Sequence, residues 1–484
     1  MRRAGRQSRE ARVIAGLVVL CGTMLCGTRA RAGGPLGDQG SRIQTSGYTV
    51  DLFQGPVLAT SRITGLGAAY TAIAEGADGI TFNPAGVSVR PPWSTTRDDY
   101  DITGGVTFPN SITGTDFDNN GSTRFTTKSF VWGTLGGYVQ HDALGIGAIM
   151  SVQNYSLGDP DPGKIVPLPG TRDIVQGVII RVLRLDAVAS YGFLDQQLHL
   201  GGGFRLTSFY GVGDTKTPED PNANPPIKQS EQERLLLNTN AIGVQAGALW
   251  TPRQLPLRIG AAVRSPMLSG TDDGRIAKDD HGDRKIGNLF LPEKVELPWE
   301  VEGGVALQLW KRPLNLPWTD EDSIPSARSE RWRRTVNGDQ VEPPYKGARR
   351  LLRARYREIP RERVLLTGSV LLSGMLKDAV GFESMLSQTV DRSGEKLSVT
   401  VRGGVETEII PWWLVLRAGS YLEPTRFRQS SSRVHATGGL DVRLVEWSVF
   451  GLFDEHTIFR LSGAVDVAPG RDYFGWSVGL GVLR

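Results

Sequence analysis

Residues 65 to 86, GLGAAYTAIAEGADGITFNPAG, decide how the rest of the chain is read. The stretch is built from small residues, and Asn83-Pro84 breaks it sharply. It is too rich in Gly and Ala for a helix that fills a core with side chains. Its pattern predicts a short helix over 68–74, a stop at Gly76, a brief extended run, and a helical turn capped by Asn83 with Pro84 in first position. Glycine lets another backbone approach closely. Such a segment suits a place inside a larger structure.

Upstream, residues 1 to 32 read as a secretory signal peptide. Five arginines between Arg2 and Arg12 precede an apolar run over 13–27, and Ala30-Arg31-Ala32 supplies an A-x-A cleavage site. The run is too short to cross a bilayer as a helix. Seven arginines and one glutamate lie in this leader, so its removal takes the formal net charge from +4 to −2. The basic pI therefore gives no reason to expect nucleic acid. Both cysteines, Cys21 and Cys26, leave with it, which suits an oxidising compartment without requiring disulfides.

Downstream the recurring signal is alternation. Leu144, Ile146, Ala148, Met150 and Val152 share one face of their segment, and Leu257, Ile259, Ala261 and Val263 share one face of another. Fourteen such segments centre near residues 104, 134, 148, 187, 203, 243, 260, 303, 368, 403, 416, 440, 462 and 478. Segments of about ten residues are long enough to cross a bilayer as tilted strands, and an even count allows a closed barrel with no unsatisfied edge. The connections alternate long and short, as external loops and periplasmic turns do. That alternation predicts that the small-residue stretch and both chain ends lie on the short-turn side. Thirteen aromatics, among them Trp132, Tyr138, Tyr191, Trp250, Trp310, Trp413, Tyr421, Tyr473 and Trp476, fall near predicted strand ends, where interfacial girdles sit.

The Gly/Ala run, the acidic spot and Asn83-Pro84-Ala85-Gly86 together resemble the N-terminal hatch of the FadL family of outer-membrane transporters for hydrophobic compounds. The hatch of the related PorV-type barrels is similar. The close match covers about twenty residues. The resemblance implies an all-β fold, a transmembrane antiparallel β-barrel of about 14 strands with a small N-terminal helical hatch. It also implies location in the bacterial outer membrane and passive uptake of hydrophobic compounds such as long-chain fatty acids. On this reading residues 33–98 are the hatch and 99–484 the barrel, and Gly65, Gly67, Ala69, Asn83, Pro84, Ala85 and Gly86 form the hatch and ligand path. A PorV-like scaffold or shuttle for protein secretion is the alternative. No cofactor is implied; the expected partners are outer-membrane lipid, a hydrophobic ligand and the outer-membrane assembly machinery.

Charged residues on the predicted strands belong inside, since Arg or Lys facing lipid at midplane costs roughly 2–4 kcal/mol. Arg184, Asp186, Arg258, Glu300, Glu302, Arg402, Glu406, Asp441 and Arg443 are accordingly expected to line the lumen and brace the hatch, their mixed signs suiting ion pairs better than an ion filter. Gly145 and Gly147 give the third strand a place for a kink and a lateral opening. The linker 311–362 falls where a short turn is due, yet it is the longest of all, and its eleven arginines and two lysines outnumber its acids. It reads as a solvated insertion or as a docking patch for anionic lipid or an acidic periplasmic partner, with a basic helix over 346–358. Asp116, Asp118 and Asn120 share the spacing of a calcium loop, but Thr127 stands where the bidentate Glu belongs, so a simple turn is the better reading. No nucleophile–histidine or zinc motif points to an enzyme.

Overall fold

The computed structural model describes residues 36–483 except 54, 91–97, 111–115, 124–125, 159–164, 170, 172, 218, 220–221, 223–227, 273, 317–359, 361–362, 412, 429, 451–456 and 469–472. The signal peptide, most of the basic insertion with its expected helix, Trp93 and Trp412 lie outside the described residues.

Fourteen antiparallel strands close into one barrel. In chain order they are β2 (Asp98–Phe108), β3 (Thr126–His141), β4 (Leu144–Gly158), β5 (Ile174–Phe193), β6 (Leu198–Thr217), β7 (Ser230–Trp250), β8 (Leu257–Arg264), β13 (Glu300–Leu309), β14 (Val364–Ser373), β17 (Ser398–Ile410), β18 (Leu414–Glu423), β19 (Arg433–Glu446), β20 (Ile458–Ala468) and β21 (Tyr473–Leu483). β2 and β21 pair from Asp101–Leu483 to Phe108–Trp476 and complete the ring. Each of the fourteen expected centres falls in one of these strands. No helix among the described residues is long and apolar enough to cross a membrane.

The alternation explains the closure. Ile146, Val139, Phe204, Ile242, Val401, Val434 and Leu480 stand exposed on the outside, while their neighbours in sequence point inward. An apolar exterior on a ladder with no open edge is the arrangement that hydrocarbon tolerates. The aromatics divide differently from expectation. Tyr191, Trp250, Trp310, Trp413 and Trp476 are exposed, but Trp132, Tyr138, Tyr421 and Tyr473 are buried in the lumen, because the register, and not nearness to a strand end, sets which way a side chain points.

At the long-loop end the barrel carries a lid. Its five-stranded sheet runs β16 (Arg392–Ser393), β15 (Ala379–Val380), β1 (Thr49–Asp51), β12 (Lys294–Leu297) and β9 (Met267–Gly270). A small hairpin of β10 (Lys285–Ile286) and β11 (Leu289–Phe290) and a helix over Phe382–Ser387 complete it. The central strand, β1, comes from the N-terminal segment and pairs in parallel with both β12 and β15. The first described residues therefore lie on the long-loop side, opposite to the expectation for the N-terminal end. Pairing with loop strands outweighed the parity of the barrel turns.

From the lid the chain descends through the lumen and forms a helix over Ser61–Gly65 and two 3-10 turns, Ala77–Thr81 and Pro84–Ser88. The helix expected over 68–74 is absent. Ala68 and Ala74 both adopt positive φ, at 59° and 46°, which ends any right-handed run between them. The second turn matches its expected start: Asn83 is extended, its side chain accepts from the Ala85 N–H at 3.0 Å, and Pro84 follows.

Candidate functional site: a glycine-seated hatch between two chambers

Residues 61–89 touch the wall backbone to backbone. Gly145, Gly201, Gly247, Gly260, Gly404, Gly419 and Gly439 point inward at one level of seven different strands, and a β-carbon on any of them would crowd the hatch main chain or Asn83. On Gly201 it would stand 2.5 Å from the Pro84 carbonyl oxygen. The seven meet the hatch at Val87, Pro84, Asn83, Thr71, Leu66, Gly67 and Gly65 respectively. Glycine is needed here because two main chains come into contact without a layer of side chains between them.

Hydrogen bonds fix the hatch on this ring. The Asn83 amide donates to Thr71 O at 2.9 Å and to Ala248 O at 3.0 Å. Thr367 donates to Ala69 O at 2.7 Å, and Ser190 donates to Ala85 O at 2.9 Å. Gly86 packs on Ala74 with no space for a side chain, and Gly67 sits at φ 59° against Ser420 and Gly403. Ser88, Ser190 and His199, which sequence reasoning did not bring together, form a buried hydroxyl–hydroxyl–imidazole cluster, with Ser88 Oγ 2.6 Å from Ser190 Oγ and 2.8 Å from His199 Nδ1.

The charges expected in the lumen sort above and below the glycine ring. Above it, Glu302 joins Arg402 at 2.8 Å and Arg264 at 3.5 Å, and Glu300 joins Arg264 at 3.3 Å. Arg264 in turn donates to the hatch carbonyls of Thr81 and Phe82 at 2.8 and 2.7 Å. Asp186 pairs with Arg205 within the wall at 3.1 Å. Arg184 makes no ion pair among the described residues, and its buried Nε has no hydrogen-bond partner. Below the ring, Arg258 holds hatch Glu75 at 2.7 Å, Glu406 lies 3.5 Å from hatch Arg62 and binds Arg417 at 2.7 Å, and Asp441 joins Arg417 and Arg460. Arg460 approaches hatch Asp78 at 3.6 Å. Arg443 stands at the short-turn rim, paired with Glu446.

Two chambers result. The upper one, about 160 Å³, lies between the descending N-terminal thread and the hatch. Leu52, Phe53, Val57, Trp132, Leu297 and Leu371 give it an apolar side, and Arg184, Arg205, Arg264 and Arg402 face it with Asp186, Glu300 and Glu302. Arg184 Nε, Arg205 Nη1 and Arg402 Nε are buried N–H donors with no acceptor among the described residues. The lower chamber, about 150 Å³, opens toward the short-turn side. The start of the insertion borders it: Arg312 binds Glu408 at 3.0 Å, and Asn315 accepts from Arg258 at 2.8 Å.

The ladder runs unbroken past Gly145 and Gly147, which pair with Gln140 and Tyr138, so the expected kink in the third strand is absent; Gly145 seats the hatch instead. The wall is interrupted elsewhere. β7 and β8 stop pairing at Gln245–Arg264, after which Ser265-Pro266 turns the chain inward and buried Met267 covers Gly243.

Asp116 accepts from the N–H groups of Asn120 and Gly121, both at 2.9 Å, and the Asn120 amide donates to Glu383 at 2.7 Å. The run is thus a turn tied to the lid helix. Among the described residues no cluster has metal-binding geometry.

A closed ring of fourteen strands around the Asn-Pro-Ala-Gly segment is the architecture that the hatch resemblance implies. The fold is FadL-like. No protein-family model matches the sequence, and no curated protein matches it. Among solved structures the chain is similar to the toluene transporter TbuX of Ralstonia pickettii, at 10% identity over 88% of this chain and 97% of that one, TM-score 0.42. It is similar also to the toluene transporter TodX of Pseudomonas putida, at 12% identity over 85% and 96%, TM-score 0.41. The monoaromatic hydrocarbon channel CymD gives 10% identity over 88% and 96%, TM-score 0.41.

Proposed function

We propose that this protein is a bacterial outer-membrane barrel that lets amphipathic hydrophobic compounds, long-chain fatty acids first among them, pass inward without energy coupling. The upper chamber carries the reading. It offers a ligand an apolar side, and it also presents buried guanidinium N–H donors on Arg184, Arg205 and Arg402 that no acceptor among the described residues satisfies. A buried donor left unpaired costs about 1–3 kcal/mol, more when charged. A carboxylate head would satisfy these donors while its chain lay along Phe53, Val57 and Trp132. A neutral hydrocarbon would leave them bare.

The steps follow from the geometry. Ligand enters past the lid, rests above the hatch with its acid end among the arginines, and passes when the hatch leaves its seat on the glycine ring. The test is uptake of labelled oleate and labelled toluene by a host lacking its own fatty-acid transporter, with surface assembly of this barrel verified. The proposal expects oleate uptake that exceeds that of toluene. An assembled barrel that restores no oleate uptake would remove fatty acids as the ligand and favour a scaffold in secretion.

A further inference from the structure

The lower chamber is lined by six guanidinium groups against four carboxylates. The carboxylates are already engaged: Glu75 by Arg258 and Arg62, Glu406 by Arg363 and Arg417, Glu408 by Arg312, and Asp441 by Arg417 and Arg460. Donors remain. The Nε groups of Arg62, Arg363 and Arg460 are buried and have no hydrogen-bond partner among the described residues; that of Arg62 stands 3.5 Å from Glu406 without bonding it. Leu314, Val415 and Ile458 give the chamber its apolar side, with exposed Trp413 at its mouth, and Leu314 also packs into the hatch cluster with Tyr70 and Ile73.

Each lining arginine has a carboxylate neighbour, Arg443 in Glu446 and Arg460 in Asp441 and Asp78, yet three N–H donors without an acceptor among the described residues and an apolar side in one cavity describe a receptor for an amphipathic anion. We propose that the lower chamber is a second binding site, on the periplasmic side of the hatch, which takes the carboxylate end of an amphipathic acid and the methylenes next to it. The inference rests on the uptake reading, which supplies the acid from above. Arg62 and Glu75 belong to the hatch, so an acid that engages Arg62 competes with Glu75 and Glu406 for its guanidinium. Arrival below would thereby loosen one of the ion pairs that hold the hatch. The two chambers, separated by the glycine ring, would hand the acid group from one set of arginines to the next.

The probe is octanoic acid bearing a diazirine, with the corresponding alcohol as its uncharged counterpart, photolysed on the full-length protein in lipid nanodiscs and mapped by mass spectrometry. Adducts from the acid are expected on Leu314, Trp413, Val415 or Ile458, at least about tenfold above those from the alcohol, because the acid alone satisfies the charged donors. Arg460→Gln should lower lower-chamber labelling about tenfold while leaving upper-chamber adducts in place. Wild-type labelling does not depend on any variant folding. Adducts confined to Leu52–Leu58, Trp132 and Leu371 would overturn the second site and leave the uptake reading standing. No adduct in either chamber would overturn both, and equal labelling by acid and alcohol would overturn the role given to the arginines.

Discussion

Gly247 of the barrel wall and Asn83 of the hatch meet so closely that a β-carbon on the glycine would overlap the asparagine side-chain oxygen. The same side chain caps its own turn and donates to Ala248 O on the neighbouring wall residue. Seat and fastener are thus adjacent. The hatch is held where wall and plug are both at their thinnest.

Gly247→Val should leave a barrel that assembles but a hatch that does not seat. The closed ladder does not depend on this contact, while the added methyl groups have no volume to occupy. Native barrel migration on unheated gels should persist, and hydrogen exchange over 77–89 should rise sharply. Unchanged exchange would contradict the seat.

Asn83→Ala removes two donated bonds and one accepted bond, the one to Ala248 O partly buried and the other two buried. Each is worth about 0.5–1.5 kcal/mol, with a further penalty for the acceptors left bare. Seating should weaken by about 2–4 kcal/mol on that scale, read as faster exchange of the hatch amides with the barrel strands unaffected.

Arg184→Gln tests the upper chamber without breaking an ion pair, since Arg184 has none among the described residues. Oleate uptake should fall about tenfold, the value of one charge-assisted hydrogen bond, while toluene uptake stays level. A parallel fall for both would mean that the residue supports the barrel and not the acid.

Lid docking should respond to pH. Burial, and then the neighbouring Asp118, push Glu383 up to about 9, and burial followed by Asp116 pushes Asp118 above the usual carboxylate range. The docked lid therefore retains protons that these groups would lose in water, so docking is strongest in acid and weakens as pH rises from about 4 toward 9. A spin label at Ser387→Cys should gain mobility over that range, and Glu383→Gln should flatten the response.

The N-terminal segment should be reachable from outside the cell. Asp38 is exposed beside the lid sheet, so Asp38→Cys is expected to react with a membrane-impermeant maleimide on intact cells. Labelling only after the outer membrane is permeabilised would reverse the assigned orientation.

The barrel was legible because its signal is periodic. Fourteen stretches with lipid on one side and lumen on the other must alternate, and residues such as Ile146 and Leu480 do so. The hatch was legible only as composition. Its path depends on Ala68 and Ala74 in the left-handed region, a conformation that alanine does not advertise and that only the surrounding wall enforces. The lid was hidden for another reason. β1 spans three residues, too few to show a period, and its partners lie more than two hundred residues away. For the site, the charges on inward positions were readable, but not which of them remained unpaired. Arg205, Arg62 and Arg363 acquire their roles from what faces them. The glycine ring carried a signal that was present and unused: Gly201, Gly247, Gly260, Gly404, Gly419 and Gly439 each occupy an inward position on an alternating strand.

The central claim is that passage requires the hatch to leave its seat. Ser88 and Ser190 bring their hydroxyl oxygens to 2.6 Å across that boundary, so Ser88→Cys with Ser190→Cys should form a disulfide that locks hatch to wall. In the transporter-deficient host, oleate uptake through this variant is predicted to be near wild type when reduced and lost when oxidised, with each single cysteine variant insensitive to oxidant. Undiminished uptake through the oxidised, mass-verified lock would contradict the account.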